Sequence, residues 1–342
     1  MKIAHVLLTH RFAGSERHAV ELANAQAQQH EVWMILHRRA AEQRPDAIAH
    51  RLDPRVRVIL VGGWSFLAAL AARRALRSLP LDVAHAHLSW ACRALQGLRG
   101  HGLRVATLHI DYKPQQHRSL DALIAIAPWQ MAHVPAEQRS HCTQIDNWTV
   151  AGPFDPAARQ RLRRELGFAD SDFVIGALGR VEASKGLDLL VEAFGQARPP
   201  GCRLVIAGHG RDWERLRRLA PPEVLMPGFV SHPQQWFSAF DAFVSAAHSE
   251  PFGLVFLEAM AAGLPVLATA SQGAQLLAGT IQRPLLPVAD VPAMAQALAG
   301  LAEERPARRS YDLTPYRIER ATEAVEAFYR QQLTLVAAAT DP

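Results

Sequence analysis

Two glutamates eight positions apart lie in the segment where the residue types indicate chemistry most strongly. Glu250 begins the stretch E-P-F-G-L-V-F-L-E-A-M-A-A-G-L-P-V in a loop with proline and glycine, and Glu258 lies inside a helix expected to start near Gly253. The first backbone N–H groups of that helix would bind an anion, above all a phosphate. The segment therefore suits a nucleotide sugar, with the diphosphate on the N–H groups and hydroxyls on the two carboxylates. The alternative for Glu258 is a solvent-facing helix position, which its apolar neighbours disfavour.

A second segment supplies cations. Arg180 and Lys185, in G-R-V-E-A-S-K-G, follow the predicted strand Phe173–Leu178 and precede a helix. A guanidinium fork and an ammonium point charge, with glycines beside them, fit a diphosphate. The alternative is a solvated loop between strand and helix.

The first half of the chain contributes weaker candidates. Gly14 follows the first predicted strand and would let the backbone approach a ligand, while Ser15 is expected to cap the next helix. His109 ends the predicted strand Val105–Ile110, where it could be a hydrogen-bond donor, a base, or simply a loop histidine. The two histidines of V-A-H-A-H, at another strand end, are weaker candidates still.

Several other chemistries lack support in the sequence. The motifs G-x-G-x-x-G, Walker A and G-x-S-x-G are absent, which argues against a nicotinamide or flavin enzyme, a P-loop NTPase and an α/β-hydrolase. The D-S-D of Asp170–Asp172 precedes a strand and is expected to be a turn, and no other cluster has the spacing of metal ligands. The sequence therefore predicts no metal site.

Short β-like runs alternate with helical periods in both halves of the chain, which predicts parallel sheets flanked by helices. Two doubly wound units in tandem would present the carboxyl ends of their strands to a cleft between them. The stretch Asn147–Pro156, rich in glycine and proline, predicts a boundary between domains at 1–150 and 151–315. A final helix over 316–337 is expected to pack back on the first domain. The predicted strands are Ile3–Leu8, Glu31–Leu36, Val56–Val61, Val83–His87, Val105–Ile110, Ala122–Ala127, Phe173–Leu178, Leu204–Ala207, Ala242–Ala246 and Pro265–Ala268.

The composition is that of an ordinary soluble, globular chain. Its 342 residues are 49% hydrophobic and 20% charged, which fits two domains of typical size, and no apolar run is long enough to span a membrane. Three widely spaced cysteines without a C-x-x-C motif indicate a reducing compartment. The sequence therefore predicts a cytoplasmic protein.

The positive charge is concentrated in the first half of the chain. Residues 1–150 carry 18 lysines and arginines against 11 acidic residues, whereas the remainder carries 19 against 21. A basic half implies an anionic partner, and the basic helix expected at Trp64–Arg77 could lie on anionic lipid at the inner face of the cytoplasmic membrane. The alternative is an ordinary helix whose leucine face packs on the sheet. Nucleic acid is not an expected partner, because no basic stripe interleaved with aromatic residues is present.

The two glutamates and the cationic loop together resemble the E-x7-E and G-R…K-G motifs of the retaining GT-B glycosyltransferases of family 4. The segment A-G-S-E-R-H-A-V-E-L-A resembles the N-terminal loop of that family, R-L-V-I-A-G-H-G resembles its L-x-I-x-G-x-G strand, and Pro227–Val230 resembles its loop on the side of the nucleotide base. These segments occur in the order of the family and cover nearly the whole chain.

The resemblance implies a GT-B fold of two Rossmann-like domains and a hexosyltransferase that uses a nucleotide sugar, with a UDP-sugar as first choice, and retains the anomeric configuration. It implies no cofactor and no essential metal. Arg180 and Lys185 would hold the diphosphate, Glu258 the ribose hydroxyls, and Glu250 together with His109 the donor sugar. The implied catalytic residues are His109, Arg180, Lys185 and Glu250, and the implied donor-binding residues are Gly14, Arg180, Lys185, Gly208, Phe229, Glu250, Phe252, Gly253, Leu254, Val255 and Glu258.

The implied acceptor is a saccharide or a lipid-linked saccharide, in lipopolysaccharide or exopolysaccharide synthesis. Two departures from the family pattern concern the site: Ala13 replaces the first glycine of an N-terminal pair, and Ser271–Ala274 stands where two glycines and an acidic residue are common. The alternatives are a catalytically degenerate scaffold and a GT-B nucleotide-sugar epimerase. The intact charged residues argue against the scaffold, and no distinct set of acidic and histidine residues supports the epimerase.

Overall fold

The computed structural model describes residues 1–98 and 100–340, which form two compact units. The N-terminal unit comprises Met1–Trp148 and the segment that begins at Tyr316, and the C-terminal unit comprises Thr149–Pro315. The division falls inside the expected linker. Each unit has one parallel sheet with flanking helices, so the predicted fold class, two Rossmann-like α/β units, is confirmed.

The sheet of the N-terminal unit has seven parallel strands, in the order β3-β2-β1-β4-β5-β6-β7. Six of them were predicted to within two residues at either end, and the three-residue edge strand β7 was missed. The strands are β1 Lys2–Leu7, β2 Glu31–His37, β3 Arg57–Val61, β4 Val83–His87, β5 Leu103–Leu108, β6 Ala122–Ala125 and β7 Cys142–Gln144.

Successive strand residues point to opposite sides of this sheet, and both sides carry buried apolar residues. Helices therefore cover both faces. Val6 of β1 faces the cluster that contains Ala72 and Leu95, whereas Ile3 faces Val325 and Phe328 of the final helix. That helix, α14, is therefore part of the N-terminal unit. The helices of the unit are α1 Gly14–Gln26, α2 Ser65–Arg77, α3 Ser89–Leu95, α4 Pro114–His117, α5 Pro128–His133 and α14 Ile318–Thr340.

The sheet of the C-terminal unit has five parallel strands, in the order β10-β9-β8-β11-β12. Strand β10 was missed, because the Pro-Gly pair at its end gave it the sequence pattern of a loop. The chain order reverses between β8 and β11, and such a switch point is where open α/β sheets bind ligands. The strands are β8 Phe173–Leu178, β9 Cys202–Ala207, β10 Val224–Gly228, β11 Ala242–Ser245 and β12 Val266–Ala268.

Helices also cover both faces of the second sheet. Leu190 and Phe194 of the amphipathic helix α7 pack on one face, in the same buried cluster as Ile175. On the other face, the ring of Phe243 lies 5.7 Å from Phe237 and 6.2 Å from Phe256. The helices are α6 Pro156–Glu165, α7 Leu187–Ala197, α8 Trp213–Leu219, α9 Pro233–Ala239, α10 Leu254–Ala261, α11 Gln272–Leu276, α12 Ala278–Ile281 and α13 Val291–Glu304.

Two smaller expectations are confirmed. Asp170 and Ser171 form the expected turn before β8, and the Asp172 carboxylate accepts a hydrogen bond from the Ala169 amide at 3.0 Å. Among the helices that the structure describes, none is both long and apolar enough to cross a membrane.

Candidate active site

The predicted lysine and the first predicted glutamate meet at the switch point of the C-terminal unit. Lys185 follows β8, Glu250 follows β11, and the lysine Nζ donates to Glu250 Oε2 at 2.6 Å. Their side chains are 20% and 17% exposed. A charge-assisted bond this short between residues 65 positions apart fixes a cation and a carboxylate side by side at the carboxyl edge of the sheet.

The backbone holds the two loops together. Gly186 has a left-handed φ of +58°, and a Cβ there would lie 2.1 Å from the carbonyl oxygen of Ala246, so only glycine allows this approach. The amides of His248 and Ser249 both donate to the Ser184 carbonyl, at 2.9 and 3.2 Å. Contacts between the main chains of the two loops thus fix the position of Lys185 relative to Glu250.

A third loop, after β12, supports the Glu250 segment. The Glu250 amide donates to Gln272 Oε1 at 3.3 Å, and the Gly273 amide donates to the Glu250 carbonyl at 2.7 Å. A Cβ on Gly273 would lie 2.3 Å from the carbonyl oxygen of Phe252. The stretch Ser271–Ala274, which departs from the family pattern, therefore fixes the loop that carries Glu250.

Helix α10 begins where the sequence predicted. Gly253 is its N-cap with φ +91°, and a Cβ there would come within 2.3 Å of the Phe256 ring. The predicted residues Leu254 and Val255 form the first turn, so their amides are among the free donors of a helix N-terminus. Glu258 is only 4% exposed, which excludes the solvent-facing interpretation.

The other predicted residues of this unit differ in how firmly they are held. Arg180 is loosely held, with a side chain 66% exposed and its guanidinium 3.5 Å from the Glu182 carboxylate. Gly208 is tightly held: its φ is +137°, and a Cβ would lie 1.8 Å from the Gly179 carbonyl oxygen. Phe229, directly after β10, has half of its surface exposed, whereas Phe252 is buried.

Helix α1 of the N-terminal unit differs from the prediction at its start. Gly14 is its first residue and Ala13 is the N-cap, with an extended backbone and no capping side chain. The predicted cap at Ser15 is wrong, because the helix starts one residue earlier and Ser15 lies in its first turn. Glu16, also in that turn, accepts a 2.6 Å hydrogen bond from Thr9 Oγ1 and is buried.

His109 follows β5 directly, since that strand ends at Leu108, two residues before its predicted end. It is 8% exposed, and its Nε2 lies 3.1 Å from Nδ1 of His87. Burial lowers the pKa of His109 to about 3, so the ring is neutral at physiological pH. A ring with so low a pKa is a poor proton acceptor, which favours hydrogen bonding over the role of a base.

Histidines that the sequence analysis missed surround His109. His5 and His18 were not singled out, and they are buried together with His85 and His87. His5, His18 and the pair on β4 come from three different elements, so no single local motif contains all of these histidines. The available signal was the His-x-His pair of β4, because parallel pairing places His5 beside His85.

Comparisons with known proteins agree with this architecture. Residues 172–304 match the family described as glycosyl transferases group 1, and residues 12–142 match glycosyltransferase family 4. The chain belongs to the family 4 glycosyltransferases. Its two units thus match the two family descriptions, one each.

Two named relatives come from Rhizobium meliloti (strain 1021). The lipopolysaccharide core biosynthesis mannosyltransferase LpsB is 30% identical over 55% of this chain and 57% of its own length. The lipopolysaccharide core biosynthesis glycosyltransferase LpsD is 28% identical over 80% of this chain and 79% of its own. The chain spans less than two thirds of the length of several curated relatives: 57% of LpsB, 39% of a mannosylfructose-phosphate synthase and 33% of a D-inositol 3-phosphate glycosyltransferase.

A solved structure shares the fold over the whole chain. Anabaena HepE, crystallised with UDP-glucose, superposes with a TM-score of 0.75 over 99% of this chain and all of its own, at 18% identity. Identity at that level supports the GT-B fold alone.

Proposed function

We propose that this family 4 protein transfers a sugar from a nucleotide sugar to a saccharide or lipid-linked saccharide, with retention of configuration and without an essential metal. The observation that carries the proposal is the Lys185–Glu250 pair at the switch point of the C-terminal unit. The lysine, the glutamate and the N-terminus of α10 all belong to segments that resemble the donor site of the family.

Positive charge is the first requirement of such a transfer, because the diphosphate gains negative charge as the glycosidic bond breaks. Lys185 Nζ has three N–H donors and uses one on Glu250, so it can bind a phosphate oxygen without leaving its partner. The amides at the start of α10 add hydrogen-bond donors in fixed positions. Arg180 adds a mobile donor, because its exposed side chain can turn toward a ligand. These groups supply the charge that a metal provides in other transferases, which is why we propose metal-independent transfer.

The carboxylates are assigned to hydroxyl groups. Glu250 is held within reach of whatever Lys185 binds, which suits a contact with the donor sugar. Glu258, one turn into α10 and buried, suits the ribose hydroxyls, because a carboxylate accepts several hydrogen bonds at once.

A UDP-sugar is the proposed donor and a lipopolysaccharide core saccharide the proposed acceptor. The HepE structure with UDP-glucose supports the first, and the names of LpsB and LpsD support the second. A nucleotide-sugar epimerase or a degenerate scaffold remains the alternative, and a transfer assay separates the three.

The assay mixes the full chain with UDP-, GDP- or ADP-sugars and a truncated lipopolysaccharide core, in EDTA. We expect one donor class to give a glycosylated acceptor with the anomeric configuration of the donor, read by NMR. Conversion of the donor sugar to an epimer without transfer would identify an epimerase. Unchanged donor and acceptor with every nucleotide would support the scaffold.

We also propose that the protein lies on the anionic inner face of the cytoplasmic membrane through α2. The helix packs on the N-terminal core through one face, where Ala68, Ala72 and Leu76 are buried, so the alternative of an ordinary core-packing helix holds for that face. On the other face, Phe66 and Leu67 are 61% and 55% exposed. Trp64, which precedes the helix, is 88% exposed. Large apolar side chains beside arginines in the last turn are typical of helices that lie on anionic lipid.

Vesicle sedimentation tests this surface. We expect the chain to sediment with vesicles containing phosphatidylglycerol and to remain in solution with pure phosphatidylcholine. The double variant Phe66→Ser/Leu67→Ser should lose binding, while Val288→Ser, at an exposed apolar residue of the C-terminal unit, should keep it. If the double variant sediments like the parent chain, α2 is not the contact.

A further inference from the structure

Five of the sixteen histidines are buried together in the N-terminal unit. His5 lies on β1, His18 on α1, His85 and His87 on β4, and His109 directly after β5. None is more than 8% exposed. The family resemblance gives a role only to His109, so the other four need another explanation.

Hydrogen bonds fix which nitrogen of each ring carries the proton, beginning at Gln26. Its carbonyl oxygen Oε1 can only accept, so His5 donates to it from Nε2 at 2.8 Å. The remaining nitrogen of His5, Nδ1, then accepts from His87 Nε2 at 3.0 Å. His87 is left with a lone pair on Nδ1.

His18 is fixed in the same way from another direction. Its Nδ1 lies 2.9 Å from the side-chain oxygen Oδ1 of Asn147 and must donate to it. The ring of Trp148 packs against His18 with 4.3 Å between ring centres and a tilt of 35°, and the Trp148 indole N–H donates a hydrogen bond to Glu21. The lone pair of His18 is therefore on Nε2, in a ring that packing holds in place.

The rings of His18, His87 and His109 converge. Their ring centres are 4.8, 5.4 and 5.7 Å apart, and one nitrogen from each lies within 4.8 Å of the other two. Three imidazoles bound to one tetrahedral zinc at about 2.0 Å have ring centres roughly 5 Å apart. The observed ring separations of 4.8, 5.4 and 5.7 Å lie close to that value, so small side-chain movements would bring the three nitrogens to a tetrahedral zinc.

We propose that His18, His87 and His109 form a binding site for one first-row divalent metal ion of the zinc type, with a fourth position for water or another ligand. Imidazole nitrogens suit such ions. Burial lowers the pKa of all three rings, so they are neutral at physiological pH, as metal ligation requires. His109 would bind through Nε2 and carry its proton on Nδ1.

The surroundings of the three rings match those of metal-binding histidines. Such ligands usually donate their second N–H to a carbonyl, a carboxylate or a similar acceptor, which orients the ring. His18 does so to Asn147, and His87 does so to His5, which is held in turn by Gln26. The pre-existing bonds thus leave Nε2 of His18 and Nδ1 of His87 without a proton, as metal ligation requires.

The neighbouring trio His5, His85 and His87 is a poorer site. His85 already uses both ring nitrogens, one with the Tyr329 hydroxyl at 2.5 Å and one with Thr107 Oγ1 at 2.8 Å. Both nitrogens of His5 are also bonded. Metal binding there would break hydrogen bonds in a fully buried region, whereas the proposed site displaces only the His87–His109 bond.

The test uses the full chain without a histidine tag, stripped of metal by a chelator. Zn²⁺ is titrated against a chromophoric chelator, and Co²⁺ replaces it for visible spectroscopy. We expect one tightly bound Zn²⁺ per chain and visible Co²⁺ bands of a four-coordinate nitrogen site. Zn²⁺ should also raise the melting temperature of the unit.

Single variants assign the ligands. His18→Gln and His109→Gln should each weaken Zn²⁺ binding by at least about 100-fold, the upper range for loss of even a second-shell partner. His85→Gln, in the same cluster but outside the trio, should bind Zn²⁺ within about tenfold of the parent chain, because the trio keeps its own partners. His101→Gln, at an exposed histidine, measures binding by surface residues. Circular dichroism checks that each variant folds.

Three outcomes would overturn the site. One is weak Zn²⁺ binding at several sites per chain, which indicates surface histidines only. A second is loss of binding in His85→Gln with retention in His18→Gln, which would assign the other trio. The third is a Co²⁺ spectrum of the hydrated ion, a result that does not depend on any variant folding. None of these readouts requires sugar transfer, so the proposed function is tested separately.

Discussion

The two units of this chain assemble their polar groups in opposite ways. In the C-terminal unit, Lys185 and Glu250 lie in short loops, keep about a fifth of their surface in solvent and form an ion pair. In the N-terminal unit, four of the five clustered histidines lie on strands or a helix and His109 directly follows a strand; all five are buried, and burial lowers their pKa so that they are neutral. Loops after strands leave room for a ligand, whereas groups on the strands themselves must satisfy one another. The first arrangement suits the anion binding proposed for this unit, and the second holds rings in a fixed orientation.

The largest expected effect is the loss of the C-terminal cation. Lys185→Ala should lower kcat/KM for transfer by about 10² to 10³, the range seen when one fixed donor to a developing charge is removed. Lys113→Ala, at an exposed lysine of the N-terminal unit, is the matched control and should keep the parent rate. Initial rates with a nucleotide sugar measure both. Equal rates for the two variants would show that the ion pair has only a structural role.

The next effect tests whether the C-terminal loops are fixed by their backbone. Gly208→Ala should destabilise the unit by about 2 kcal/mol or more, because the new methyl meets the Gly179 carbonyl at a φ that alanine rarely adopts. Gly279→Ala, where a Cβ meets nothing within 4 Å, should change stability little. Urea unfolding compares the two variants. Similar urea midpoints for the two variants would mean that the loop at Gly208 can shift to accommodate a methyl group.

The buried histidines predict a pH dependence of stability in the N-terminal unit. Burial lowers the pKa of His5 from 6.5 to about 4, so between those values the unfolded chain binds the proton and the folded chain does not. Stability is therefore complete above pH 6.5 and falls as the pH drops toward 4, by about 1.4 kcal/mol per pH unit for each such ring. His5→Gln should reduce this slope by that amount, as measured by hydrogen exchange of β1 at pH 4.5, 5.5 and 6.5. A slope that the substitution leaves unchanged would contradict the assignment.

The smallest effect concerns the exposed face of α2. Leu67→Ser should change the free energy of unfolding by less than about 0.5 kcal/mol, because the side chain is 55% exposed. Leu76→Ser, on the buried face of the same helix, should cost several-fold more. Thermal melting compares them. If Leu67→Ser proves as costly as Leu76→Ser, the exposed face is covered in the native protein and is not free for lipid.

The sequence predicted which elements carry the candidate residues of the C-terminal unit, because these residues lie in contiguous motifs. Each glycine-containing segment holds its own geometry, so Gly253 marked the start of α10 and Lys185 marked the loop after β8. The pairing of Lys185 with Glu250 needed the strand order, since β8 and β11 are neighbours in space only.

The buried histidine cluster of the N-terminal unit was mostly missed for the same physical reason. His18 lies on α1, His87 on β4 and His109 directly after β5, and only the fold brings these elements together. The missed strand β7 has only three residues, and the missed strand β10 ends in a Pro-Gly pair that resembles a turn. The Ser15 cap failed because capping preference is weak against a helix that already starts at Gly14.

The most direct test of the central claim is calorimetric titration of the full chain with UDP-, GDP- and ADP-glucose in EDTA. We predict that one nucleotide class binds one to one without metal. We also predict that Glu258→Ala, which removes the carboxylate assigned to the ribose, weakens that binding by about tenfold or more, the cost of one good hydrogen bond to a charged group. Absence of binding in EDTA, with binding restored by Mg²⁺, would contradict the claim that Lys185, Arg180 and the α10 amides supply the charge.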